Sequence, residues 1–80
     1  MIKAVTDLLM RRYPRSLDLI RSSCVNGDIY LLVFFKHPIR AASLASLQER
    51  ILDQNDKALT CKVLTPDPEN RRLLLIIITR

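Results

Sequence analysis

Eighty residues with an apolar fraction of 49% suffice for one packed domain and are too few for two. That apolar content, with one glycine and four prolines, argues against a disordered, low-complexity or linker-like chain. The formal charge of +5 comes from 13 basic and 8 acidic residues; it favours encounter with anionic partners without identifying one.

Ile2, Val5, Leu8, Leu9 and Arg12 recur at helical spacing, and Asp7 precedes Arg11 by four residues, a favourable order for pairing. Pro14 closes this first helix, Ile2 to Arg12, because the residue before a proline avoids the α region. Leu17, Leu19 and Ile20 open an extended segment that runs through Cys24 and Val25. Asn26-Gly27 between apolar segments is a hairpin signal, since both residues accept positive φ. Ile29 to Phe35, β-branched and aromatic, is the returning strand.

His37-Pro38 breaks that strand, and the period then changes. Ile39, Ala42, Leu44, Leu47, Ile51 and Leu52 fall on one side of a second helix. Pro38 suits its start and the polar run Asp53 to Asp56 its end. Leu59, Cys61 and Val63 alternate with Thr60 and Lys62, the pattern of a half-buried strand. Thr65 to Asn70 is a turn containing two prolines, and Leu73 to Thr79 is a final apolar strand.

The order αββαββ predicts a single α+β domain over residues 1–80. Its simplest packing is a four-stranded antiparallel sheet with both helices on one face, a circular permutation of the ferredoxin-like arrangement. Exchange of hairpins with a partner chain is the alternative. The element order is similar to that of small assembly-platform domains of pilus and secretion machines, in topology alone, and no residue role is carried over from them.

A sheet covered on one face alternates apolar and polar residues, yet the second and fourth strands are apolar on both faces. The expected uncovered set is Tyr30, Leu32 and Phe34 from one strand with Leu74, Ile76 and Ile78 from the other. A second copy, a different protein or a further helix of a longer chain would cover it, unless the two helices wrap further round the sheet.

No catalytic constellation is evident. His37 is the only histidine and stands at a turn, and Cys24 and Cys61 show no metal-ligand spacing. Gly27 is taken by the hairpin, which leaves no glycine-rich phosphate cradle, and the carboxylates fall at helix ends and in loops. The expectation is therefore no enzyme activity, no cofactor and no metal. The two thiols read as buried free cysteines on strands, with a disulfide between them open if the first and third strands are adjacent. With Asp7 and arginines at the N-terminus and apolar runs far short of ~20 residues, the chain reads as cytoplasmic with no membrane span.

Arg11, Arg12 and Arg15 gather at the end of the first helix, and Arg71-Arg72 precede the last strand. Arg21, Lys36 and Arg40 would add to them, with Tyr13 and Tyr30 available to stack on bases. The leading expectation is a protein–protein interaction module, an adaptor, assembly factor or regulator, that pairs with itself and with another protein. The alternative is a small basic nucleic-acid-binding regulator using those five arginines.

Overall fold

The computed structural model describes residues 2–54 and 60–79. It contains helix α1 (Ile2–Arg12), strands β1 (Leu17–Val25) and β2 (Asp28–Phe35), helix α2 (Ala41–Gln54), and strands β3 (Thr60–Leu64) and β4 (Leu73–Thr79). The four strands form one antiparallel sheet in the order β1-β2-β4-β3. Leu59, Asn55 and Asp56, assigned above to a strand and a helix end, lie outside the described residues.

Asn26 and Gly27 form the β1–β2 turn with φ values of 53° and 84°. Both are positive, as a two-residue loop with the twist of the flanking strands requires. Beyond Gly27 and its two chain neighbours, no atom lies within 4 Å of where a Cβ on Gly27 would stand, so a larger residue there meets backbone strain rather than a clash. Gly27→Ala is expected to cost ~1–2 kcal/mol, read as a lower urea midpoint with an unchanged slope.

Residues paired across antiparallel strands share a face. Leu31 pairs with Ile76 and Val33 with Leu74, and all four are fully buried. Val5, Leu8 and Leu9 of α1 and Leu47 and Ile51 of α2 belong to the same core, so both helices pack on this one face. Fully burying each such side chain stabilises the fold by ~1.5–3 kcal/mol, and among the described residues no polar or charged side chain is buried.

The second helix begins later than the sequence suggests. Ile39 N–H donates to the Arg71 carbonyl (2.9 Å), which holds the chain extended beside the start of β4 until Ala41. Pro38 therefore precedes the helix by three residues, Ile39 is buried outside it, and Ala42 is exposed.

The two sheet edges differ. Gln48 Oε1 of α2 accepts the outward Val63 N–H of β3 at 3.3 Å, which occupies one donor of that edge. β1 is interrupted by a bulge between Leu17 and Leu19 that leaves Asp18 exposed, a device that discourages edge-on pairing.

Candidate interaction surfaces

The face of the sheet opposite the helices follows from the register. One row crosses it as Arg21, Leu32, Leu75 and Leu64; the next as Ser23, Tyr30, Ile77 and Lys62. Leu19, Phe34 and Leu73 form a third row at the end nearer Leu17. Six large apolar residues are exposed among the described residues, and four of them (Leu19, Val25, Leu32 and Leu64) point from this face. Tyr30, Phe34, Leu73, Leu75 and Ile77 are half-buried, because they shield one another across the sheet.

This corrects half of the set expected from sequence. Tyr30, Leu32 and Phe34 lie on the open face, but Leu74, Ile76 and Ile78 are buried beneath the helices. The β4 residues beside Tyr30, Leu32 and Phe34 are Ile77, Leu75 and Leu73. A continuous apolar strand gives no clue to its parity; only its pairing register does.

The basic residues separate into three places. Arg11 and Arg12, with Leu8, line a cavity of about 240 Å³ between the helices, together with Arg50 and Gln54 of α2. Arg15, Arg71 and Arg72 lie toward the end of the sheet where Lys36 N–H meets the Ser16 carbonyl and Phe35 N–H the Arg72 carbonyl, each at 2.7 Å. Arg21 lies on the open face in the row of Leu32.

Tyr13 is half-buried and already has aromatic and cationic neighbours. Its ring meets Phe35 edge-on (centroids 5.2 Å apart, 77° between planes), and the Arg12 guanidinium lies 5.7 Å from its centroid. Arg50 was not singled out from sequence. It occupies a polar position of α2, and only the antiparallel crossing of two helices distant in sequence brings it to Arg11 and Arg12.

Cys24, Ile29, Ile78 and Cys61 form one row across the sheet, with the two cysteines on opposite outer strands. Three strand spacings separate them by ~14 Å, twice what a disulfide spans. Only Cys61 is buried as expected; Cys24 is exposed, because it lies at the hairpin end of the outer strand β1. Burial pushes the Cys61 thiol up to about 11. His37 is exposed, and among the described residues no three His, Cys, Asp or Glu side chains meet as a metal site would require. No described helix is long and apolar enough to cross a membrane. Compared with known proteins, the chain matches no family model, no curated protein and no solved structure.

Proposed function

We propose that the chain is a non-enzymatic interaction module that works as a homodimer, with the open sheet faces of two copies packed on each other. The observation that carries this reading is the apolar centre of that face, Tyr30, Leu32, Leu75 and Ile77, extended by Phe34 and Leu73. Four strands at ~4.8 Å spacing and seven residues at ~3.3 Å give a footprint of roughly 450 Å² per copy. Two such faces bury on the order of 1,000 Å², about the threshold for a specific contact.

The charges suit this pairing. Arg21 and Lys62 stand at opposite corners of the apolar centre, with Leu64 and Ser23 at the other two. A twofold axis in the interface, parallel or perpendicular to the strands and centred on the patch, lays each cation over Leu64 or Ser23 of the other copy. Neither cation then faces a cation, so aligned sheet packing avoids like-charge contact.

The reading of the fold that goes with this function is a permuted ferredoxin-like domain. Moving the first strand of that βαββαβ arrangement to the end of the chain yields the strand order β1-β2-β4-β3 with every pair antiparallel. The helical side of such a dimer stays free for another protein, which suits an adaptor, assembly factor or regulator acting in the cytoplasm.

Light scattering over a concentration range, at low and high salt, tests the dimer. The expected mass is twice the chain's 9.2 kDa, and it persists in high salt because the contact is apolar. Leu32→Lys and Ile77→Lys are each expected to return the mass to that of one chain. A mass of one chain at every concentration overturns the proposal, and so does a dimer that survives both substitutions.

A further inference from the structure

We infer that the groove between α1 and α2 is a phosphate-binding site whose ligating groups are the guanidinium groups of Arg11, Arg12 and Arg50. All three arginines line one cavity of about 240 Å³, and no ion pair engages any of them among the described residues. Three like charges held on one groove repel each other, and a bound oxyanion relieves that repulsion.

Arg12 is positioned before any ligand arrives. Its Nη2 donates across the helix pair to Ser46 Oγ (3.2 Å), and its Nε donates to Tyr13 Oη (3.2 Å). A guanidinium has five N–H donors in a planar fork, so these two bonds fix its plane and leave three donors for an anion. Arg11 Nε donates to the Asp7 carbonyl one turn back (3.4 Å), which leaves the four N–H groups of its outer fork. Arg50 comes from the facing helix, so the donors approach an anion from two sides. Gln54 adds an amide to the same wall.

The adjoining cavity, lined by Ala4, Asp7, Met10, Arg11 and Gln54, shares Arg11 and Gln54 with the first. Asp7 is the one carboxylate lining either cavity among the described residues. A tetrahedral oxyanion with several acceptor oxygens suits three separate forks better than a planar carboxylate, which one fork saturates. The ligand class is therefore a phosphate group, carried either on a soluble molecule or on a lipid headgroup. The site faces away from the open side of the sheet and stands whether or not the chain dimerises there.

The test is an NMR titration of the whole chain, following arginine Nε–Hε resonances as inorganic pyrophosphate is added at low salt. Saturable shifts are expected at Arg11, Arg12 and Arg50, with only shallow, unsaturated shifts at Arg15, Arg71 and Arg72. Arg50→Ala is expected to weaken binding by about tenfold or more, the scale of one lost charge-assisted pair. Arg50 is exposed, so this variant keeps its fold even if Arg12→Ala loosens the helix pair. Phosphatidylcholine vesicles containing phosphatidic acid are the second probe. Tighter binding of one probe, weakened by Arg50→Ala, supports the site and names its source as soluble or lipid phosphate. Equal shifts at every arginine, or an affinity that Arg50→Ala leaves unchanged for both probes, overturns the inference.

Discussion

Ile76→Lys is expected to leave the chain unfolded at room temperature, whereas Ile77→Lys, one residue further on, keeps its fold. Ile76 is fully buried under the helices, between Leu31 and Val63 in the sheet. Its replacement removes a core side chain at ~2–5 kcal/mol and buries an unpaired ammonium at several more. A domain of this size has only roughly 4–12 kcal/mol of total stability. Ile77 belongs to the open face, in the row that ends at Lys62, where a second lysine head reaches water. Far-UV circular dichroism of the two variants reads the outcome. Two folded variants with equal urea midpoints would mean that the register of β4 against β2 is wrong.

Raising the pH from 9 to 11 is expected to destabilise the wild-type chain more than a Cys61→Ala variant. The Cys61 thiol titrates at about 11 when folded, against 9.0 for an ordinary cysteine, because burial penalises the thiolate. Between those values the unfolded chain has released this proton and the folded chain still holds it. Folding stability therefore falls as pH rises through that window, by on the order of 2 kcal/mol in full. Other groups titrate there as well, so the quantity to measure is the difference in slope between wild type and variant. Identical slopes would show that Cys61 is as solvated as Cys24. Thiol labelling at neutral pH offers a second reading: Cys24 reacts at once, and Cys61 only as the chain unfolds.

The elements of this fold were legible because each carries its own local signal. Val5, Leu8 and Leu9 repeat at helical spacing, Asn26-Gly27 forces its turn, and Pro14 and the Pro66/Pro68 pair punctuate the chain. What lay beyond sequence was relational. From Leu73 to Ile78 both faces are runs of leucine and isoleucine, and only the terminal Thr79 marks the open one. The strand's parity is set only when Ile78 aligns with Ile29 across the sheet. The late start of α2 depends likewise on a carbonyl of Arg71, more than thirty residues away in the chain. Arg50 joins Arg11 and Arg12 through helix packing that no periodicity encodes. Arginines adjacent in sequence, such as Arg71 and Arg72, were the easier cluster to notice, yet they do not reach the interhelical cavity.

The central pair of strands, β2 and β4, joins residues as far apart as Ile29 and Ile78. The β1–β2 hairpin closes over two residues and can form within microseconds, whereas β2 meets its other neighbour only after a long loop closes. During synthesis β2 therefore waits with one hydrogen-bonding edge and two apolar faces unsatisfied until β4 leaves the ribosome. The nascent chain is most at risk of pairing with a neighbouring copy in that interval. A holdase that occupies the open edge of β2 would raise the yield of folded protein without altering the final structure.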